Sequence, residues 1–302
     1  MNSSIVVIGS KLPSDKNSTG IITRSLREKK ITVHELFWEN LLLELKTSHI
    51  EVSNNGQSLI DYQPQKVLMF GWYRSAVCRE LAFATAQYLQ SHATAYWNSE
   101  ALNQRATGKL SCLTKLALEN IPITETVFSL NFEQLMSAEH TFPLVLKASR
   151  ASRGERNFFV KDRADLSQYA YVDNNDLMMQ PFFPNDHDLR VICYDSEPKL
   201  ILKRSRPIDS MSHLNNTSAQ GRAQWIPLTE VSTGLLSNSK KICKILNREM
   251  CGIDWIPDKK ASFGYSCLEV NAIPQLTSGH DVATKMDALA ESLVTKPGKN
   301  LT

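Results

Sequence analysis

Gly252-Ile253-Asp254-Trp255, followed by Leu268-Glu269-Val270-Asn271, decides how this chain of 302 residues is read. Each stretch reads as a short buried strand with an oxygen-bearing side chain set among apolar neighbours. A buried carboxylate costs several kcal/mol unless a cation or hydrogen-bond donors compensate it. Asp254, Glu269 and Asn271 supply three hard oxygen donors, a set that suits Mg²⁺. That ion takes few carboxylates and completes its shell with water and nucleotide phosphate, so the implied ligand is a metal nucleotide. The same residues also fit strand-end carboxylates in solvated turns, and spacing alone leaves both readings open.

Upstream, two lysines are of a kind that suits phosphate. Lys147 ends an apolar strand, Phe142 to Ala148, and is followed by the small and basic loop Ser149 to Arg156, with a second strand at Asn157 to Lys161. Lys109 opens a helix, Gly108 to Asn120, in which Leu110, Leu113, Leu116 and Ala117 recur at helical spacing. An ammonium is a compact charge suited to phosphate, although either lysine alone also fits a solvated surface.

The first third alternates strand-like and helix-like runs: Ser4 to Gly9, a polar helix at Gly20 to Lys30, an apolar run at Lys66 to Tyr73, a helix at Arg79 to His92 and a strand at Ala93 to Trp97. That alternation predicts an α/β layer with a mainly parallel sheet. Asn54-Asn55-Gly56 is a turn signal and reads as a hairpin tip. Beyond residue 140 the pattern becomes antiparallel, with strands at Leu177 to Phe183, Asp188 to Tyr194 and Lys199 to Ser205. A helix from Ser232 to Met250 sets Leu235, Ile242, Leu246 and Met250 on one face. The fold class is therefore mixed α/β (α+β).

Composition excludes several classes. A net charge of +3 without long basic runs gives no nucleic-acid footprint. No apolar stretch approaches the roughly 18 residues that span a bilayer, so no membrane partner is expected. The six cysteines form no C-x-x-C pair and read as reduced, mostly buried thiols of a cytoplasmic protein.

Taken in order, these elements resemble the ATP-grasp superfamily, and most closely the RimK-type carboxylate–amine ligases, over about residues 95 to 285. Asn98-Ser99-Glu100-Ala101-Leu102 with Lys109 matches the family's asparagine and downstream lysine. Asn120 to Thr126 resembles its G-I-P-x-P-x-T turn, and Pro143 to Lys147 its P-x-V-x-K strand. Met179 to Phe183 looks like the adenine hinge and Asp188-Leu189-Arg190 like the D-x-R that follows. Asn215-Asn216-Thr217-Ser218 with Gly221 resembles the N-rich loop, and Glu269 to Pro274 the E-V-N-x-x-P metal segment. Gly108 departs from a usual acidic residue and Asn120 from a usual glycine. The phosphate loop keeps only Gly154, with Arg150 and Arg153 to supply charge.

The resemblance implies an ATP-grasp fold in three parts: an N-terminal α/β domain at 1–95, a central part with a small antiparallel lid at 96–184, and a C-terminal α+β part at 185–302. It implies ATP between two lobes, with adenine against Gln180, Pro181, Phe182 and Phe183, and Asp188 on the nucleotide side. Phosphates would meet Lys109, Lys147, Ser152 and Gly154. Mg²⁺ or Mn²⁺ would sit on Asp254, Glu269 and Asn271, while Arg190, Arg204 and Asn271 are catalytic candidates. Arg190→Ala is expected to lower turnover with little change in melting temperature. The implied activity joins a small-molecule or peptide carboxylate to an amine, and a homo-oligomer is compatible with it. A peptide-modifying macrocyclase, a phosphotransferase and a non-catalytic nucleotide-binding module stay open as alternatives.

Overall fold

Ser4–Gly9, buried along its whole length, forms the first strand, β1. The computed structural model describes residues 4–72, 75–99, 108–149, 156–171, 177–205 and 222–294. After β1 come α1 (Pro13–Glu28), β2 (Val33–Phe37), β3 (Leu41–Lys46), β4 (His49–Asn54), β5 (Gln57–Ser58), β6 (Pro64–Met69), α2 (Ala76–Ser91) and β7 (Tyr96–Trp97). Strands β2-β1-β6-β7 make the expected parallel sheet. The helix expected at Gly20 begins instead at Pro13, because proline suits a first turn whose N–H groups have no helical partner. Asn55 and Gly56, at φ 51° and 81°, turn β4 into β5 as the turn signal indicated. Strands β2 and β3 were not anticipated.

The middle of the chain holds α3 (Lys109–Leu118), β8 (Val127–Phe128), α4 (Phe132–Ser137), β9 (Leu144–Ala148), β10 (Asn157–Val160), α5 (Arg163–Ser167) and β11 (Leu177–Pro181). Its sheet is antiparallel, ordered β10-β9-β11-β8, with Lys147 opposite Asn157. Leu144, Leu146, Ala148, Val160, Leu166 and Met179 are among the residues of its core.

The last part holds β12 (His187–Tyr194), β13 (Glu197–Ser205), β14 (Arg222–Ile226), α6 (Thr233–Leu246), β15 (Cys251–Pro257), β16 (Tyr265–Asn271) and α7 (Val282–Val294). Its antiparallel sheet is ordered β14-β13-β12-β15-β16. Leu235, Ile242 and Leu246 of α6 pack with Leu189, Val191, Ile253 and Trp255 on one face. Met250 does not share that face. Asn247 takes a left-handed conformation that ends the helix at Leu246, and Met250 falls into a different core.

That other core joins the two ends of the chain. Met286, Leu289, Ala290 and Leu293 of α7 pack together with Ile5 and Val7 of β1, Ile22 and Leu26 of α1, and Ile192 and Tyr194 of β12. Beside it, Lys66 is buried 4.4 Å above the Trp97 ring and 3.6 Å from Asp195, which also accepts the indole N–H of Trp97 at 3.1 Å. Five of the six cysteines are buried, and the Cys193, Cys243 and Cys251 sulfurs converge within 4.8 Å of one another. The linear sequence showed them only as scattered.

Candidate functional site

Strand register assembles the polar cluster. Arg190 on β12 lies opposite Asp254 on β15, which in turn lies opposite Glu269 on β16; one row over, Asp188 on β12 lies opposite Arg204 on β13. Opposed residues of antiparallel strands project from the same face, so five charged side chains share one side of the sheet. Pro122 and Thr124 bond to the Cys267 backbone at 2.8 and 3.0 Å, tying the segment after α3 to β16. Lys109, at the start of α3, then reaches Glu269 Oε2 at 3.3 Å.

Gly252 permits a close approach. A Cβ there would lie 2.7 Å from the Pro274 Cβ, so the turn after β16 can lie on β15 only because residue 252 has no side chain.

Asp254 is held by two guanidinium groups. Arg190 donates Nε–H to Oδ1 and Nη2–H to Oδ2, each at 2.7 Å, and Arg204 Nη2 lies 3.2 Å from Oδ2. Arg204 also donates Nε–H to Asp188 Oδ1 at 2.5 Å. Burial works to raise the Asp254 pKa, but the two arginines overcome it and hold the carboxyl well below its ordinary range. Asp188 goes the other way: burial raises it, and the Arg204 it relies on is shared with Asp254. Lys147 is only 8% exposed, and burial pushes its ammonium down to about 8; Glu269 and Asp254 favour its charge while Lys109 opposes it.

Strand β11 brings a second kind of group. Gln180 on β11 is buried and donates its amide N–H to Thr126 Oγ1 at 2.8 Å, while its Oε1 has no hydrogen-bond partner among the described residues. An orphaned buried acceptor at the end of a hinge strand fits the exocyclic amine of adenine. Phe182 donates its backbone N–H to Pro143 O at 3.0 Å and meets the Phe159 ring edge-on at 4.9 Å.

The expected metal donors differ in how open they are. Asn271 donates its amide N–H to Glu269 Oε1 at 3.1 Å, which leaves its own carbonyl oxygen for a cation, and Glu269 is half-buried. Asp254 has three acceptor positions filled by arginine, so it can offer a cation only one oxygen lone pair while both pairings stand. Oxygen donors of this kind suit a hard cation that keeps several waters.

Ion pairs join Arg190, Asp254, Arg204 and Asp188 in one group, and an ion pair and a hydrogen bond join Lys109, Glu269 and Asn271 in a second; the register that sets Asp254 opposite Glu269 brings the two together. Lys147 lies within the field of Glu269 and Asp254, and Gln180 to Phe183 belong to β11 and the residues just after it. Ser152, Gly154, Arg150, Arg153 and the 215–218 loop with Gly221 lie outside the described residues.

Two residues of this region were missed. Gln275 accepts from Arg190 Nη1 at 3.1 Å, and Lys285 donates to the carbonyls of Gln275 and Ser278 at 2.8 and 2.6 Å. Gln275 is 85 positions from Arg190, and nothing in the sequence pattern links them.

Known proteins similar to this chain include curated relatives and solved structures. Beta-citrylglutamate synthase B of Danio rerio is 25% identical over 54% of this chain, and that of Homo sapiens 21% identical over 78%. The chain spans 42% and 62% of those relatives' own lengths. Among solved structures, the ATP-grasp ligase PsnB with a phosphomimetic variant of its minimal precursor, Mg and ADP matches with a TM-score of 0.69 at 17% identity, over 97% of this chain and 99% of that one. The macrocyclase MdnC of Microcystis aeruginosa MRC, bound with precursor peptide MdnA, matches with a TM-score of 0.66 at 15% identity, over 96% and 99%. At such identities the likeness speaks for the fold. A family model described as the RimK-like ATP-grasp domain matches residues 106–294, nearly all of the sheet and helix framework that carries the charged cluster, and the chain belongs to that family.

Proposed function

We propose that this chain is an ATP-dependent carboxylate–amine ligase. The observation that carries the reading is the facing of two phosphate-type lysines, Lys109 and Lys147, toward a carboxylate set, Glu269 and Asp254, braced by arginine. Lys109 and Lys147 bind the phosphates of ATP, and Gln180 takes the adenine amine. Glu269 and Asn271, with the remaining lone pair of Asp254, hold Mg²⁺, which neutralises phosphate charge during transfer.

The γ-phosphoryl group passes from ATP to an oxygen of the substrate carboxylate, and ADP leaves. Attack of an amine nitrogen on the acyl carbon then expels phosphate and yields the amide, with loss of one proton. Activation is required because oxide is a poor leaving group and phosphate a good one. Arg190 and Arg204, oriented by Asp254 and Asp188, face the charge that develops on the acyl oxygen.

A peptide substrate is the second reading, in which the same chemistry crosslinks side chains of a ribosomal peptide. It is favoured by the end-to-end match with ligases solved on their precursor peptides, against the partial span of the beta-citrylglutamate synthases. The deciding experiment measures ADP release from purified protein with Mg-ATP across pools of amino acids, polyamines, carboxylic acids and acidic peptides, with Glu269→Ala as control. ADP that needs one carboxylate and one amine, and is lost in the variant, supports the ligase. Release of a stable phosphorylated product without amide overturns it in favour of a phosphotransferase.

A further inference from the structure

The turn between β16 and α7 is fastened from three sides. Lys285, 3% exposed, spends two of its N–H donors on the carbonyls of Gln275 and Ser278. Its own carbonyl accepts the Tyr194 hydroxyl at 3.1 Å, which fixes α7 against β12, the strand that carries Arg190. Asp281 caps Thr284 and accepts the indole N–H of Trp225 at 2.9 Å, while the His280 ring lies 5.5 Å from that of Trp225. Gln275 sits at φ 48°, a left-handed conformation that a glutamine adopts only where its surroundings impose it. The result is a side-chain oxygen placed on Arg190 Nη1, the edge of the guanidinium that Asp254 does not grip.

We propose that Lys285 is a positioning residue: it fastens the 275–278 turn so that Gln275 holds the edge of Arg190 that Asp254 leaves ungripped. The proposal rests on the ligase reading, in which Arg190 acts on the acyl group. With Gln275 in place, a hydrogen bond to its side-chain oxygen fixes Nη1 while Asp254 fixes Nε and Nη2; without it, that anchor on Nη1 is lost. Burial of the Lys285 ammonium, next to the like charge of Arg190, pushes it down to about 8. A buried lysine of this kind persists where its hydrogen bonds repay the burial.

The test compares wild type, Lys285→Met, Lys285→Arg, Gln275→Ala and the double variant Lys285→Met with Gln275→Ala. Residues acting through one relay are non-additive. At saturating Mg-ATP with a pool that supports ADP release, each of Lys285→Met and Gln275→Ala should slow turnover about tenfold and the double variant no further. Lys285→Arg should recover most of the rate, and affinity for Mg-AMPPNP should stay within about twofold throughout. Losses that multiply in the double variant, or a Gln275→Ala enzyme of wild-type rate, overturn the proposal. Gln275 has an exposed side chain, so that variant reports even if Lys285→Met folds poorly.

Iodide quenching of tryptophan fluorescence reads the turn without turnover. Trp225 is the most accessible of the five tryptophans, since Trp38, Trp72, Trp97 and Trp255 are all buried. Lys285→Met should raise its quenching about twofold and Lys285→Arg should not; equal quenching in all three proteins sinks the proposal. Wild-type protein that releases no ADP in any pool is instead the failure of the ligase reading, and quenching still decides whether Lys285 fastens the turn.

Discussion

Arg190 grips both oxygens of Asp254 in a parallel pair of 2.7 Å bonds deep in the sheet. Bidentate geometry of this kind fixes orientation as well as charge. It also changes what substitution of either residue measures.

Removing one partner of a buried ion pair leaves the other uncompensated, at a cost of about 3–5 kcal/mol. Arg190→Ala and Asp254→Asn should therefore both lower stability by about that amount in urea or guanidinium titrations. The sequence alone pointed to lower turnover with little change in melting temperature for Arg190→Ala, and took a comparable loss of both as counting against a catalytic role; the pairing with Asp254 makes a joint loss the expected result, so melting temperature no longer separates a catalytic Arg190 from a structural one. Asp254 is held low in the fold, so its contribution is complete above about pH 4 and is lost as pH falls further. The acid limb of stability against pH should flatten in Asp254→Asn, and an unchanged limb would show that the pair contributes nothing net.

Lys147 ionises at about 8 in the fold, below the ordinary lysine value. Between about pH 8 and 10 the folded chain binds fewer protons than the unfolded one, so stability rises with pH there. Phosphate beside the amine draws the proton back. Calorimetry of Mg-ATP binding in buffers of different ionisation enthalpy should show uptake of about half a proton or more at pH 8.5 and close to none at pH 6.5. Lys147→Arg, which stays charged, should remove the uptake at pH 8.5.

Gln180→Met exchanges the orphaned amide for a side chain of similar length. Losing the bond to Thr126 while removing a buried unsatisfied acceptor should leave stability within about 1 kcal/mol. The dissociation constant for Mg-ATP should rise about tenfold, because one hydrogen bond to adenine is missing. Equal affinity in the two proteins would place adenine elsewhere.

Gly252→Ala puts a methyl group 2.7 Å from the Pro274 Cβ and 3.3 Å from its Cα, with Arg190 Cδ at 3.6 Å. Overpacking against backbone should cost about 1–3 kcal/mol. Thermal denaturation against Gly108→Ala gives the comparison, since among the described residues a Cβ at 108 meets nothing closer than 3.7 Å.

The elements legible in the sequence were those whose pattern is local. Apolar runs around Asp254 and Glu269, helical spacing after Gly108, and the turn at Asn55-Gly56 each appear where expected. Strands β2 and β3 escaped because polar residues interrupt the apolar ones, His34 and Glu35 in Val33–Phe37 and Glu44 and Lys46 in Leu41–Lys46, and one face of β3 is exposed. The site was legible as a set of residue types and not as a set of partners. Pairing of Arg204 with both Asp188 and Asp254 depends on strand register, and the Gln275 bond to Arg190 depends on a left-handed turn that no residue type announces.

The core in which α7 meets β1 and β12 makes the beginning and end of this chain a single mechanical body. A graft that exchanged only the first hundred residues for those of a relative would leave Met286, Leu289 and Leu293 facing unmatched side chains, and the strand bearing Arg190 would shift with them. In any chimaera the amino-terminal layer and the carboxy-terminal helix are thus best inherited together from one parent.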